Sequence, residues 1–290
     1  MNLWQEFRQP KTISEAIEDL TNAPQPALPV AGGSDMLLDI RQGRHAPVHT
    51  LVDLKSVKEM NVIELKGQEL FIGASVSITK IIQNQLVLKN ARALVEACTL
   101  VAGPQVRNIA TLGGNVAHAL PAADGTIALT SLGAQAEIAS KSGLRRMSFQ
   151  ELFLGPGKSA INKTSELITG FYVPQTEQGQ ASCFKRIMRP QGVALPILNC
   201  AVWVHRAGET VVDVRISVGP GGPTPFRGTD AEEVLRGKTL DGILLNNALD
   251  KLLAQAKFRT SAMRATAAYR QHIVKDLFRD TFMDAWKRAA

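Results

Sequence analysis

Two glycine pairs stand where backbone alone could bind a ligand: Ala31-Gly32-Gly33-Ser34-Asp35 and Thr111-Leu112-Gly113-Gly114-Asn115. Each has a hydroxyl or amide beside it, and glycine has no Cβ to hold an anion away from backbone N–H groups. A positive φ costs any other residue roughly 1–2 kcal/mol more. Each pair follows a β-like run and precedes an apolar stretch of helical character, so both read as tight, phosphate-hugging turns. One such turn discriminates little. Two in one domain suggest a ligand with two linked phosphates, gripped from both sides.

Other patterns carry less chemistry. No G-x-G-x-x-G follows the first strand-like run, which argues against a Rossmann dinucleotide site. Gly157-Lys158-Ser159 resembles the end of a P-loop, but Leu152 stands where that motif needs its first glycine. Gly219-Pro-Gly-Gly222-Pro-Thr-Pro225 loses N–H donors to its prolines and reads as a rigid connector. The five histidines are scattered, none in an H-E-x-x-H or G-x-S-x-G context. His118, just after the second pair, either faces a ligand or is a hydrogen-bonded loop histidine. Cys98, Cys183 and Cys200 are too widely spaced to build a four-thiolate cluster or zinc site alone, and they fit a reducing cytosol. The chain offers binding surfaces more readily than a catalytic side-chain constellation. If it is an enzyme, a cofactor supplies the chemistry.

The elements that must position these residues fall into two domains, as 290 residues allow. In residues 1–55, Thr12-Ile-Ser-Glu15 is a capping box for a helix carrying Ala16, Ile17 and Leu20. Leu28–Ala31 is a buried strand, Ser34 or Asp35 caps the next helix, Gly43 closes it, and Leu51–Leu54 returns as a strand. In residues 56–177, Leu70–Gly73 is a strand and Thr79 or Ser77 caps the helix of Ile81 and Ile82. A longer helix covers Ala91–Val101, ended by Gly103-Pro104. Asp124 then leads an apolar helix through Leu132, and Gln135–Ser140 with Leu144–Ser148 forms a hairpin. The polar stretch Pro174–Gln180 marks a domain boundary. Beyond it, Ile197–His205 and Val211–Val218 pair antiparallel, and Leu244, Leu245, Ala248, Leu249, Leu252, Leu253 and Ala256 form one apolar helical stripe that reads as core packing.

Composition excludes more than it selects. Hydrophobic and charged fractions of 45% and 20% are those of an ordinary globular chain. The net charge of +7 is spread without any run of five like charges, and aromatics, at 5%, do not interleave with arginine, so no nucleic-acid partner is expected. The first eight residues lack a secretory layout. The longest apolar run, Val193 to Val204, is broken by Pro196 and Asn199 and is too short to span a bilayer. A cytoplasmic chain with no metal centre of its own and no membrane span is expected.

Several runs together carry a resemblance: Val30-Ala-Gly-Gly-Ser-Asp35, Ala102-Gly-Pro-Gln-Val-Arg-Asn-Ile-Ala-Thr-Leu-Gly-Gly-Asn115, Pro121-Ala-Ala-Asp124, Glu166-Leu-Ile-Thr-Gly-Phe-Tyr-Val-Pro174 and Phe184-Lys185-Arg186. It continues through Val218–Pro225, Ala231–Gly237 and Ala268–His272, nearly the whole chain. The sequence resembles the FAD-binding medium subunit of molybdenum hydroxylases, the xanthine dehydrogenase, carbon monoxide dehydrogenase and hydroxybenzoyl-CoA reductase group. The resemblance implies an α+β fold: a vanillyl-alcohol-oxidase-type FAD domain (1–177, subdomains 1–55 and 56–177) and a C-terminal antiparallel sheet-and-helix domain (178–290). It implies that Val30, Ala31, Gly32, Gly33, Ser34, Asp35 and Met36 form one pyrophosphate loop, and Thr111, Leu112, Gly113, Gly114 and Asn115 the other. Asp124 would accept from sugar or ribityl hydroxyls, Val101 and Ile168 would give apolar contacts, and Lys185 would place a cation near the flavin. Arg107 reads as structural.

Also implied are a [2Fe–2S] small subunit that delivers electrons singly, a molybdopterin-binding large subunit that hydroxylates substrate, and a dimer of heterotrimers. Electrons stored on FAD would pass to NAD⁺, a quinone or another acceptor. A nucleotide-binding scaffold or maturation factor, and a stand-alone flavin oxidase, are the alternatives. Two departures stand out. The cysteine-bearing insertion of the benzoyl-CoA reductase branch is absent. Arg189-Pro-Gln-Gly-Val-Ala-Leu-Pro196 replaces a segment expected to shield one flavin face.

Overall fold

The computed structural model describes residues 3–190 and 195–290. Residues 191–194 lie outside the description, including the middle of the expected flavin-shielding segment and Val193 of the longest apolar run. The first layer is a parallel sheet in the order β1 (Glu6–Arg8), β3 (Thr50–Asp53), β2 (Ala27–Val30). Helix α1 (Ile13–Asn22) packs Ala16, Ile17 and Leu20 against the core. Thr12 caps it by accepting from the Glu15 N–H, but the Glu15 carboxylate takes the Lys11 N–H, so half of the expected capping box forms. Helix α2 (Met36–Arg41) follows the first glycine pair. Asp35 is its N-cap but makes no side-chain capping bond, contrary to the expected Ser34 or Asp35 cap, and Gly43 closes the turn after it at φ +68°.

The second layer is a five-stranded antiparallel sheet in the order β4 (Ile63–Lys66), β5 (Glu69–Gly73), β10 (Leu167–Pro174), β6 (Gln135–Ser140), β7 (Gly143–Ser148). Between β5 and β6 the chain makes α3 (Ile78–Gln83), α4 (Gln85–Asn90), α5 (Arg92–Thr99), α6 (Pro104–Ile109), α7 (Leu112–Ala117) and α8 (Asp124–Ser131). Ser77 caps α3, while Thr79 donates to Asn108 Oδ1 at 2.7 Å. Between β7 and β10 lie a single turn, α9 (Phe149–Leu152), and the small ladder β8 (Phe153–Gly155) and β9 (Lys158–Ser159). Ile72, Leu94, Leu112, Ile127, Ile138 and Leu167 belong to the core beneath this sheet.

The C-terminal domain is an antiparallel sheet, β11 (Gln180–Met188), β12 (Pro196–Ala207), β13 (Thr210–Gly219) and β14 (Phe226–Arg227), with β15 (Lys238–Thr239) pairing off β13. Helices α5 and α8 meet one face. The other is covered by α10 (Thr229–Leu235), α11 (Gly242–Gln255) and α12 (Ala267–Arg288). Both faces are therefore core, which is why Pro196–Val204 is buried at every position and reads as a continuous apolar run. Alternation still sorts the side chains. Phe184, Ala201 and Trp203 face the first domain, whereas Cys183, Cys200 and Val202 face the C-terminal helices.

Candidate functional site

The first glycine pair leaves the carboxyl end of β2. Gly33 sits at φ +66°, where a side chain is strained. Gly32 is a packing glycine: a Cβ there would lie 2.4 Å from the Ile109 carbonyl oxygen and 2.8 Å from Ala110 Cα. The first turn thus lies flat on the two residues that precede Thr111, and the two glycine pairs come to one place although about eighty residues separate them. The second pair does not form a turn after a strand, as the sequence suggested. Gly113 and Gly114 fill the first turn of α7, with Thr111 as its cap.

The backbone donors are distributed unevenly. Leu112 N–H donates to Val76 O at 3.3 Å, Gly113 N–H to Ala74 O at 2.9 Å, and Gly114 N–H to Thr111 Oγ1 at 3.1 Å. Those groups are engaged within the chain. Among the described residues, no internal acceptor takes the N–H groups of Gly32, Gly33, Ser34 or Asp35. The first segment therefore offers the donors, and the second a closely packed wall: a Cβ on Gly113 would be 2.6 Å from Ala74 O.

A cleft opens beside both segments. Ala31, Gly113 and Gly114 line it together with an apolar set of Pro29, Leu54, Met60, Ala74, Ala117, Ile161 and Ile168, and with Ser75, Ser159, Lys163 and Glu166 as polar members. An apolar slot with a few polar groups suits a flat ring. Sequence reasoning pointed to Ile168 here but not to Met60, Ser159 or Lys163, which come from a 3₁₀ turn, the short strand β9 and a connecting loop. Val30 and Met36 belong to a small cluster with Leu51 and Ile40, and Val101 packs on the main core. Arg107 holds the Val101-Ala102 turn, donating to their carbonyls at 2.9 and 2.7 Å, with Ala102 at φ 44°.

Asp124 occupies the first helical position of α8, with Ala123 as the N-cap, so the carboxylate caps nothing. It is buried and ion-paired with Arg186 of β11, and its other oxygen accepts from Asn199 Nδ2 of β12 at 2.7 Å. Burial pushes this carboxyl up, against the opposing pull of Arg186 and Asn199. Among the described residues, Asn115 Oδ1, Arg186 Nε and Asn199 Oδ1 are buried without a partner. Lys185 points the other way, to α12, where it pairs with Asp284 at 2.8 Å and holds that carboxyl below its ordinary range. Strand alternation makes Arg186, not Lys185, the cation turned toward the first domain. His118 ends α7 as its C-cap.

These features fit a flavin dinucleotide. Free N–H groups suit a diphosphate without formal charge, the apolar slot suits a ring, and the unpartnered buried polar atoms match a chain of hydroxyls. A two-segment glycine cradle in a mixed α/β domain, capped by an antiparallel sheet-and-helix domain, defines an FAD-binding flavoprotein. Residues 4–176 match the family described as the FAD binding domain in molybdopterin dehydrogenase, and residues 182–285 the CO dehydrogenase flavoprotein C-terminal domain. The chain belongs to this family and is an FAD-binding medium subunit of the xanthine and CO dehydrogenase type, a component of oxidoreductases.

Individual relatives agree. The chain is 28% identical to the putative xanthine dehydrogenase FAD-binding subunit of Escherichia coli K12, over 96% of this chain and 95% of that protein. It is 30% identical to the nicotine 6-hydroxylase medium subunit of Paenarthrobacter nicotinovorans, over 97% of each. Among solved structures, the carbon monoxide dehydrogenase of Hydrogenophaga pseudoflava superposes with a TM-score of 0.93 at 26% identity, covering 99% of this chain and 98% of that one. Among the described residues, no helix is long and apolar enough to cross a membrane, and no group of three or more His, Cys, Asp or Glu could hold a metal ion.

Proposed function

We propose that this chain is the electron relay of a cytoplasmic molybdenum hydroxylase. Its FAD receives electrons from the [2Fe–2S] clusters of a small partner and delivers them to NAD⁺, a quinone or another acceptor. A molybdopterin-binding large partner hydroxylates the substrate, in a dimer of heterotrimers. Bound FAD supplies the two-electron chemistry that no side chain here offers. The residues of the chain hold and orient it. Gly32, Gly33, Ser34 and Asp35 give N–H groups to the diphosphate, Ile168 and Met60 wall one ring, and Asp124 with Arg186 stands at the domain boundary beyond Asn115. The observation that carries the reading is the seating of Gly32 on Ile109 and Ala110, which makes one cleft of two distant glycine segments.

The test is a purified complex with its flavin spectrum, the FAD released on denaturation, and stopped-flow flavin bleaching by the reduced iron–sulfur partner. Bound FAD that bleaches rapidly is expected. A colourless chain that does not take up FAD removes the cofactor reading. FAD that is held but not reduced by the partner removes the relay and leaves a scaffold.

A further inference from the structure

Arg186 is 4% exposed and sits opposite Asn199 in the β11–β12 ladder, both turned toward α8 of the first domain. Its Nη1 pairs with Asp124 Oδ2, its Nη2 lies 3.0 Å from Met188 Sδ, and its Nε has no partner among the described residues. Asn199 donates to Asp124 Oδ1 at 2.7 Å and to Ala122 O at 3.1 Å. Among the described residues, the buried carboxylate at the start of α8 is thus held entirely by the neighbouring domain. Next to it, Asn115 Oδ1 would lie 2.8 Å from a Cβ on Gly125, and Asn115 itself follows the Gly113-Gly114 wall of the cleft.

We propose that Arg186 is a positioning residue for the cofactor, fixing the Asp124 carboxylate from across the domain boundary so that FAD is held fully only when the C-terminal sheet is docked. The inference rests on the FAD reading above. A guanidinium does this where an ammonium does it less well, because its planar fork fills two directions while keeping a further N–H available. Removing it leaves a buried carboxylate supported by one amide, a state that favours protonation. The charged or titratable groups facing Asp124 are Arg186 on β11 and the Cys98 thiol on α5, which burial holds well above its usual range. Asp124 is therefore the group whose charge changes when Arg186 is lost.

The experiment titrates FAD into the full-length apo chain by flavin fluorescence, for wild type, Arg186→Gln, Arg186→Lys, Asp124→Asn and the Arg186→Gln/Asp124→Asn double variant, across roughly pH 6 to 8. Wild type should show the shallowest pH dependence of the set. Arg186→Gln should bind about tenfold more weakly and with a steeper pH dependence than wild type, and Arg186→Lys should restore the wild-type profile with part of the affinity. The double variant should be no weaker than Asp124→Asn, since Arg186 acts through that carboxylate. Wild-type affinity in Arg186→Gln, or losses that multiply in the double variant, would overturn the assignment. If Arg186→Gln does not fold, Arg186→Lys decides, and an affinity equal to wild type overturns it. Wild type that takes up no FAD removes the cofactor reading instead.

Discussion

Gly32→Ala tests the claim that the first glycine pair exists to let two backbones touch. The added Cβ would lie 2.4 Å from Ile109 O, 2.8 Å from Ala110 Cα and 3.0 Å from Ile109 C. Ordinary contact begins near 3.4 Å, so the segments must separate by 3.4 − 2.4 = 1.0 Å, and every obstructing atom is backbone. Overpacking of this kind costs about 1–3 kcal/mol, and rigid neighbours place it toward the upper end. At ~3 kcal/mol the apo chain shifts about a hundredfold toward unfolding, since 1.4 kcal/mol is a factor of ten. The same separation parts the N–H donors of Gly32–Asp35 from the Gly113-Gly114 wall, so FAD affinity falls with stability. Gly114→Ala is the counterpart: its Cβ meets Thr111 Oγ1 at 3.2 Å and otherwise open space. Replacing a helical glycine there gains up to about 1 kcal/mol of helix propensity, so the fold survives while the cleft wall gains a methyl. The assay is denaturant unfolding of the apo chain together with FAD titration. Gly32→Ala should lose both stability and FAD, and Gly114→Ala should lose FAD affinity alone. A Gly32→Ala chain with wild-type stability, or a Gly114→Ala chain less stable than it, would refute the packing argument.

Three further outcomes are expected. Burial raises the Asp124 carboxyl in the folded chain against the pull of Arg186 and Asn199, so the folded state binds its proton more tightly than the unfolded one. Its contribution to stability therefore falls as pH rises from the ordinary carboxylate range through the raised value. Asp124→Asn should remove that component, and urea midpoints of the two proteins that run parallel with pH would contradict it. Glu232 is buried, accepts the Ile216 N–H at 2.8 Å and takes a two-point contact from Arg227. Glu232→Ala should destabilise the C-terminal domain by about 3 kcal/mol, read by calorimetry, because it orphans a backbone donor and a half-buried guanidinium. Lys185→Gln breaks a pair whose side chains are 35% and 37% exposed, and solvent screening limits the loss to at most ~1 kcal/mol in the same measurement.

Local patterns made some elements legible and hid others. The β6–β7 and β12–β13 hairpins, the α11 stripe and the Gly43 stop follow from alternation, helical periodicity and turn chemistry within a few residues. The glycine pairs were visible as a composition, but their use was not. Gly32 packs on Ile109 and Gly113 on Ala74, partners that no local window contains. For the same reason the engaged N–H groups of Leu112–Gly114 could not be told from the free ones of Gly32–Asp35. Lys185 and Arg186 show the limit in its simplest form. Alternation says that they face opposite ways, but a strand buried on both sides gives no local sign of which face meets the cofactor domain. Met60, Ser159 and Lys163 reach the cleft from a single 3₁₀ turn, a two-residue strand and a loop, all too short for a period to be read.

The division of donors between the two domains has a physical consequence for a redox cofactor. The free N–H groups of Gly32–Asp35 are neutral dipoles of the first domain, fixed by a backbone contact that needs no counter-charge. Lys163 is the one cation along the described cleft wall, and Glu166 beside it is paired with Arg145 at 2.6 Å. The buried Arg186–Asp124 pair lies at the domain boundary, with Arg186 coming from the second domain and Asp124 from the first. Affinity is then set mainly by the glycine cradle, and the field at the boundary mainly by how the C-terminal sheet is seated. Substitutions in the cradle should change how much FAD is held, whereas substitutions at Arg186 or Asn199 should also change how that binding responds to pH. That separation is what a neutral grip makes possible, and a cradle built from lysines and arginines could not provide it.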